Sequence, residues 1–355
     1  MKKLPNLDPL RFLLAMLVLI FHLPQLCKNQ GLPYFDDLAV FHRGIEAVYM
    51  FFVLSGFLII RLIYKAKLKG SFSIKNFYMR RILRISPLYY LILFFGLFFY
   101  NILLPFLKIP FEVNYTITEA LFLCVFFLPN VFADLYEPGG ILEVLWSIGI
   151  EEQFYILIAP LLFFVRTKRV LMILFGLLIG YFIVSHIEDF LLKKYHFYYF
   201  YLFLGGIIGV LEEMKKLEFL KKLIFFPLII TVATILYFFT DLFMVDPMWL
   251  HNLITCIIFG FFIHTISFNN KNLEDRNKWL NYFGQISYGI YMYYVIALNF
   301  VVFLFLKIDK LNILNEITLI VLINAFTIIV TLIFAHISYK YFEVPFLKLK
   351  NKFRE

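Results

Sequence analysis

Two ionisable side chains, Arg11 and His22, lie inside the first long apolar stretch of the chain, residues 9–27. Eleven residues at 100° each bring an α-helix back to within about 20° of its starting direction, so the two side chains share one face, about 16 Å apart along the axis. Ionisable groups inside a membrane span are costly and usually face a protein interior or a wet cavity. The pair is therefore a candidate functional site, in which the imidazole is the group able to exchange a proton near neutral pH, with snorkelling of both side chains to the membrane surfaces as the alternative explanation.

A second set of ionisable side chains is acidic. Glu151 and Glu152 are adjacent in an otherwise apolar run, and adjacent helical residues point about 100° apart, so at least one should line a polar cavity. Glu46 lies near the start of the second apolar stretch, at about the same depth. Any one of these acids could instead cap a helix or bind a buried tyrosine. Together with His22, they predict a polar site at the outer ends of the early spans.

The third set is basic and follows the second apolar stretch. Arg80, Arg81 and Arg84 precede Pro87, and the spacing of four residues places Arg80 and Arg84 on one helical face. Arginine forks suit phosphate oxygens, so a phosphorylated ligand could bind at this cytoplasmic end. Contact with anionic lipid and a purely topological role are the alternatives.

The elements that carry these residues are apolar helices. The chain has 355 residues, of which 62% are apolar and only 16% charged, a composition typical of an integral membrane protein. About 20 apolar residues cross the hydrocarbon core, and this length predicts about ten transmembrane helices in an all-α, polytopic fold. The predicted spans are 9–27, 44–63, 86–104, 143–165, 170–187, 197–211, 223–241, 250–267, 282–306 and 313–338.

One further apolar segment, residues 116–133, is predicted to be re-entrant or interfacial. A full crossing there would place Arg166, Lys168 and Arg169 outside, against the positive-inside rule. With that choice, most of the 33 lysines and arginines lie in the termini and the even-numbered connections. We therefore expect both termini in the cytoplasm.

The cysteine spacing and the net charge indicate which ligands and partners are not expected. Cys27, Cys124 and Cys256 are far apart and show no metal-binding or paired spacing, so we expect no metal site. The net charge of +9 is explained by topology, and no nucleic-acid partner is expected. We predict a single membrane-embedded domain over residues 1–355, without a soluble extracytoplasmic domain.

Six sequence strings, in order along the whole chain, resemble the acyltransferase-3 family of integral membrane acyltransferases. They are LDPLRFLLAMLVLIFH from Leu7, GIEAVYMFFVLSGFLI from Gly44, FYMRRILRISPLYY from Phe77, LWSIGIEEQFY from Leu145, ISYGIYMYY from Ile286 and YFEVPF from Tyr341. The resemblance implies an O-acyltransferase that takes an acyl group, usually acetyl, from cytoplasmic acyl-CoA. The acceptor would be a hydroxyl of an extracytoplasmic glycan or glycolipid, such as exopolysaccharide, capsule or lipopolysaccharide.

The resemblance also implies roles for individual residues. Arg11 and His22 match the arginine and histidine of the family's first span, and the arginines at 80, 81 and 84 match its basic motif. Trp146, Ser147 and Glu151 match its tryptophan-serine motif with the glutamate. Glu46 matches an acidic position before an aromatic pair. Donor binding is thus expected of Arg11 and the arginine cluster; Glu46, Trp146, Ser147, Glu152 and Tyr294 are expected to line or support the acceptor pocket.

One position departs from the family. Tyr294 stands where many members have a histidine, and a tyrosine can hydrogen-bond but cannot serve as a base near neutral pH. We therefore assign the base to His22, because a partly buried imidazole tends to remain neutral. Glu151, with Glu46 as the rival, would hold its tautomer and stabilise the imidazolium. Direct transfer is the default, and an acyl-histidine intermediate is the alternative.

Two other functions are compatible with parts of the sequence. A transporter or flippase of a glycan precursor would use the same polar residues to line a path. It does not account for the six family strings. A scaffold without chemistry leaves Arg11 and His22 on one face unexplained. The acyltransferase needs no permanently bound cofactor; acyl-CoA is its substrate, the lipid bilayer surrounds it, and a bacterial-type inner membrane is its expected location.

Overall fold

The computed structural model describes residue 4 and residues 6–188, 191–267, 277–309 and 314–353. These residues form α-helices joined by turns, with no strand among them. The principal helices are α1 Leu7–Asn29, α2 Gly44–Leu68, α3 Ile74–Phe98, α4 Ile117–Val125, α5 Pro129–Tyr136, α6 Leu145–Phe164, α7 Val170–Val184, α8 Tyr199–Glu213, α9 Phe226–Phe239, α10 Met248–Ser267, α11 Lys278–Gln285, α12 Ser287–Asp309 and α13 Glu316–Ser338.

Shorter helical segments lie between or after these helices. Turns of π-helix, Phe99–Leu103 and Tyr339–Glu343, continue α3 and α13. The short α-helices are Leu104–Phe106, Gly140–Glu143, Leu191–Lys194, Glu218–Lys222 and Val344–Leu349, and the 3₁₀ turns are Ala39–His42, Thr167–Arg169 and Lys350–Phe353.

The all-α, polytopic membrane fold predicted from the sequence is confirmed. Among the described residues, eight helical segments are long and apolar enough to cross a membrane. Each of the ten predicted spans overlaps a helix, although 282–306 covers the end of α11 and most of α12, and residue 313 lies outside the described residues. α8 and α9 have only 15 and 14 residues. Because about 20 residues are needed to cross the hydrocarbon core, these two helices account for the difference between ten and eight.

The segment predicted to be re-entrant or interfacial is broken into two helices. α4 has nine residues and α5 has eight, and Phe127 between them has a left-handed backbone with a φ of 58°. Thr116 and Glu119 form a capping box at the start of α4, which satisfies amide groups that the first turn leaves without partners. Neither helix is long enough to cross the membrane alone, which is consistent with the prediction.

Close contacts divide the chain into two compact units, and the single-domain organisation stays a prediction. The first unit comprises Met1–Phe51 with Glu218–Tyr341. In it, α1 packs on α11 and α12, α12 packs on α13, and α9 packs on α10. Gly284 in α11 brings the backbones together, because a Cβ there would lie 2.1 Å from the carbonyl oxygen of Asp8.

The second unit comprises Phe52–Leu217 with Phe342–Glu355. Within it, α6 packs on α3 and α5, and α7 packs on α8. The inner part of α2 approaches α8 so closely that only glycine fits: a Cβ on Gly56 would lie 1.9 Å from the carbonyl oxygen of Leu202, and one on Gly205 would lie 1.9 Å from that of Val53. Small residues at such crossings let helices in membranes gain van der Waals contact.

Candidate active site

Arg11 has a carboxylate partner inside its own helix. Its Nη1 donates to Oδ1 of Asp8 at 2.9 Å, three residues earlier. The Asp8 side chain is 6% exposed and that of Arg11 is 20% exposed, so water screens the pair only partly. Here Asp8 holds the guanidinium on α1.

His22 lies 11 residues after Arg11 in α1, and the helix backbone orients its imidazole. Its Nδ1 lies 2.8 Å from the carbonyl oxygen of Val18. A carbonyl oxygen only accepts, so Nδ1 carries the proton, and in the neutral ring Nε2 is left as the proton acceptor. Phe21 meets the half-buried imidazole edge-on, with centroids 4.7 Å apart, and Tyr294 lies at 5.1 Å.

The packing of α1 fixes the imidazole further. Ala15 is fully buried against Ile286, Ile290 and Ala335, in a cluster that Phe12 and Phe51 partly cover. Tyr294 is 2% exposed, and its ring also meets that of Tyr291 at 6.0 Å. The departure from the family at position 294 therefore places a buried phenol ring beside His22.

Glu46, in the first turn of α2, lies in a different charged cluster of the first unit. Glu46 interacts electrostatically with Arg43 and His251, and no group in the described part of the chain forms a hydrogen bond with its buried Oε2. Arg43 in turn forms an ion pair with Asp241. His251 donates from Nδ1 to the carbonyl oxygen of Phe243 at 3.1 Å. Glu46 is therefore an acid beside a second imidazole.

Glu151 is held by two hydroxyl groups of the second unit. Ser55 Oγ donates to its Oε1 at 2.9 Å, and Tyr155 donates to its Oε2 at 2.7 Å. Each carboxylate oxygen therefore accepts a hydrogen bond, which is the pattern that an ionised carboxylate requires. Because Glu151 and His22 belong to different units, their pairing stays a prediction.

Arg81 and Glu152 interact electrostatically. From the sequence, we expected Arg81 at the cytoplasmic end of one span and Glu152 at the outer end of another. Each is the eighth residue of its helix, α3 or α6, and so lies about 10 Å inside it. A hydrogen bond from Tyr78 to the carbonyl oxygen of Ile156, at 2.7 Å, shows the same register between the two helices. Oε1 of Glu152 and Nε of Arg81 are buried, with no hydrogen-bond partner among the described residues.

The other two arginines of the cluster surround Arg81. Arg80 is 8% exposed, and its Nη1 donates at 2.7 Å to the carbonyl oxygen of Phe353, near the end of the chain. Arg84 and Arg80 both repel Arg81 electrostatically. Three guanidinium groups thus concentrate positive charge in one part of α3, next to the carboxylates of α6. Such a concentration favours an anionic ligand.

The tryptophan-serine motif opens α6. Trp146 is half-buried and meets the buried ring of Phe52 edge-on, with centroids 6.1 Å apart. Ser147 is 4% exposed. Further along α6, Gln153 donates from Nε2 to Asn130 Oδ1 at 2.8 Å and accepts from Tyr199 at 2.6 Å. α6 is therefore joined to α5 and α8 by a buried chain of amide and phenol groups.

Four residues near the predicted site were not identified from the sequence. Ser55 and Tyr155 bind Glu151, His251 lies beside Glu46, and His196 lies beside Trp146 with ring centroids 5.7 Å apart. Only Tyr155 had a local signal, since it follows Glu151 by four residues, one helical turn. The other three depend on which helices pack together.

The arrangement supplies the groups that acyl transfer requires. One imidazole has a defined proton acceptor, one carboxylate accepts a hydrogen bond on each oxygen, and a cluster of guanidinium groups can bind an anion. In the described residues, no group of three histidine, cysteine or acidic side chains could hold a metal ion.

Comparison with known proteins identifies the family. A protein of Haemophilus influenzae without an assigned function is 27% identical over 250 residues, which is 62% of this chain and 98% of the relative. The peptidoglycan O-acetyltransferase OatA of Listeria monocytogenes is 28% identical over 162 residues, 44% of this chain, and the match spans only 24% of that longer relative. A protein of Acidianus two-tailed virus with a provisional acetyltransferase name is 28% identical over 309 residues, 82% of each chain.

No solved structure matches the chain. The sequence model of the acyltransferase domain matches residues 4–336, nearly the whole length. The resemblance inferred from the six strings is therefore confirmed, and so is the assignment as an enzyme. The chain is an acyltransferase and belongs to the acyltransferase-3 family.

Proposed function

We propose that this enzyme moves an acetyl group from cytoplasmic acetyl-CoA to a hydroxyl of an extracytoplasmic glycan or glycolipid. Support comes from membership of the family and from relatives named as peptidoglycan O-acetyltransferases. The single observation that carries the mechanism is the hydrogen bond from His22 Nδ1 to Val18. It leaves Nε2 as the only proton acceptor of the neutral ring.

The reaction proceeds by direct transfer. The acceptor hydroxyl gives its proton to Nε2 of His22 while its oxygen forms a bond to the thioester carbonyl carbon. When the carbon–sulfur bond breaks, the imidazolium gives this proton to the departing thiolate of CoA, which leaves as the free thiol. Nδ1 stays bound to Val18 throughout, so the ring neither rotates nor changes tautomer at that nitrogen. Attack by Nε2 on the thioester, giving an acyl-histidine, is the two-step variant.

Glu151 stabilises positive charge in this scheme. Ser55 and Tyr155 hold its carboxylate in the ionised form and in a fixed orientation. A preoriented negative charge favours the imidazolium that forms during attack, because it needs no reorganisation at that moment. Glu46 has its own imidazole neighbour, His251, and we assign it to the support of the acceptor pocket.

The arginines bind the donor. CoA carries phosphate groups, which bidentate guanidinium groups recognise. Arg81 and Arg84 concentrate positive charge in α3, and Arg11 adds a guanidinium group that Asp8 holds on α1. This assignment requires that α3 begins on the cytoplasmic side, as the distribution of basic residues predicts. Both termini are then cytoplasmic, and the protein is a multi-pass component of the plasma membrane.

An assay with donor and acceptor on opposite sides of a membrane tests the proposed function. Purified full-length protein is placed in lipid vesicles that enclose chitotetraose, a short N-acetylglucosamine chain, and acetyl-CoA labelled in the acetyl group is added outside. We expect release of the CoA thiol together with labelled acetyl esters on the enclosed saccharide. Vesicles without protein control for leakage.

Each outcome of the assay has a distinct meaning. A preparation that releases no thiol from acetyl-CoA overturns the acetyl-CoA donor. Release of thiol without acylation of chitotetraose overturns the glycan acceptor. Acylation only when both substrates are on one side of the membrane overturns transfer across the bilayer.

A further inference from the structure

An aromatic cluster at the start of α6 contains residues that the acyl-transfer mechanism does not use. It consists of Trp146, His196 and Tyr198, with the carboxylate of Asp134 nearby. The imidazole of His196 lies 5.7 Å from the ring of Trp146 and 5.9 Å from that of Tyr198, measured between centroids. His196 and Asp134 are exposed, while Trp146 and Tyr198 are half-buried. All four residues belong to the second unit.

The backbone of His196 is in an unusual conformation. Its φ is 58°, in the left-handed region, and its amide donates to the carbonyl oxygen of Lys193 at the end of the short helix Leu191–Lys194. Glycine is the usual residue at such a position, because a side chain adds strain of about 1 kcal/mol or more. A histidine there places an imidazole beside Trp146 at a cost to the backbone. Strain at an exposed position points to a role in binding.

Hydrogen bonds on both sides of His196 along the chain connect its segment to Gln153 of α6. Before it, the carbonyl oxygen of Tyr195 accepts from Asn130 Nδ2 at 2.9 Å, and Asn130 Oδ1 accepts from Gln153. After it, Tyr199 donates to Gln153 Oε1 at 2.6 Å. Gln153 follows Trp146 by seven residues, two helical turns, so both lie on one face of α6. The amide chain therefore fixes the imidazole against the tryptophan ring.

The chemistry of the cluster suits an uncharged sugar. Aromatic faces carry partial negative charge and attract the weakly positive C–H groups on the flat side of a pyranose ring. A carboxylate such as Asp134 accepts hydrogen bonds from sugar hydroxyls. The surrounding protein lowers the pKa of His196 more than Asp134 raises it, so the imidazole is mainly neutral at pH 7.

The position of the cluster agrees with the side on which the acceptor should lie. α6 begins at Leu145, and the charge distribution predicts that this end is extracytoplasmic. α8 begins at Tyr199, just after His196, and runs from the same end. Trp146 is five residues from Glu151, so the cluster lies little more than one helical turn from the carboxylate that the mechanism uses.

We propose that Trp146, His196, Tyr198 and Asp134 form a subsite that binds one pyranose ring of the acceptor. This proposal rests on the proposed glycan acceptor and names the residues that hold it. The sugar stacks on the accessible faces of the aromatic rings while Asp134 accepts hydrogen bonds from its hydroxyl groups. The subsite binds and positions the acceptor; it does not take part in bond making.

Tryptophan fluorescence tests binding without catalysis. Phenylalanine replaces Trp249 and Trp279, so Trp146 is the single emitter in the full-length protein. Chitotetraose, cellotetraose and mannotetraose are titrated in turn. We expect at least one of them to change the emission saturably, and His196→Ala to weaken that binding about tenfold. Asp134→Asn should weaken it less, because it keeps one hydrogen-bond acceptor.

His186→Ala is the matched control. His186 belongs to the same unit, and its Nδ1 donates to the carbonyl oxygen of Phe182, outside the cluster. This variant should bind the saccharide like the parent. Equal binding by the parent, His196→Ala and Asp134→Asn, or no saturable change with any of the three saccharides, would overturn the subsite.

Acetyl-CoA turnover separates this proposal from the proposed function. In His196→Ala, the half-saturating concentration of acceptor should rise about tenfold while that of acetyl-CoA changes less than about twofold. An equal rise in both would show that His196 supports the fold rather than the acceptor. Failure of the parent enzyme to consume acetyl-CoA would overturn the proposed donor and leave the fluorescence result to decide the subsite.

Discussion

The surroundings of His22 in α1 and of Glu151 in α6 are built in different ways. His22 is oriented by Val18 and Arg11 is paired with Asp8, four and three residues away in the same helix. Glu151 depends on Ser55, 96 residues away, as well as on Tyr155. The first region carries its own orienting contacts within one helix. The second requires that separate helices pack correctly, so changes in the packing should affect it most.

The largest effect is expected at the imidazole. His22→Ala removes the proton acceptor, and transfer from acetyl-CoA should fall at least about 100-fold while the protein stays in the membrane. The measurement is acetyl transfer by purified protein, normalised to its amount. Tyr294→Phe is the matched control, because it keeps the ring beside His22 and removes only the hydroxyl. Unchanged transfer in His22→Ala would remove the base assignment and make α1 a structural region.

The second-largest loss of acetyl transfer is expected at the Glu151 carboxylate. Glu151→Gln places an amide NH₂ where one oxygen now accepts from a hydroxyl, so a hydrogen bond to a charged group is lost, worth about 1.5–3 kcal/mol. Transfer should fall about 10- to 100-fold, with little change in the half-saturating concentration of acetyl-CoA. Ser55→Ala and Tyr155→Phe should each have a smaller effect. If both single variants match the parent, these hydroxyls do not support the carboxylate in catalysis.

Packing in the second unit is tested by a pair of glycines. Gly205→Ala in α8 puts a Cβ within 1.9 Å of the Val53 carbonyl oxygen, and the helices must separate. The free energy of unfolding should fall by about 1–3 kcal/mol, measured as a lower Tm in detergent. Gly176→Ala in α7 is the control, because its Cβ meets no atom within 4 Å. Equal Tm values for the two variants would contradict the close contact between α2 and α8.

The same contrast explains what could be predicted from the sequence. The period of the helix placed Arg11 and His22 on one face, and the length of the apolar stretches located each helix. Helical period cannot identify partners across the fold, so Ser55, His196 and His251 were missed. Helical period also could not show that Arg81 and Glu152 interact: each is the eighth residue of its helix, and the register of α3 against α6 brings them together.

The smallest expected effect concerns the donor. Arg84 lies beside Arg81 and can share a phosphate with it, so Arg84→Ala should raise the half-saturating concentration of acetyl-CoA about fivefold, with acceptor dependence unchanged. Arg166→Ala removes the same charge from the connection after α6, away from the arginine cluster of α3, and should leave donor dependence unchanged. If both variants lose donor affinity equally, general positive potential rather than a phosphate contact attracts acetyl-CoA. If neither does, Arg84 serves topology or lipid contact, and the arginines of the second unit lose their assigned role while His22 keeps its own.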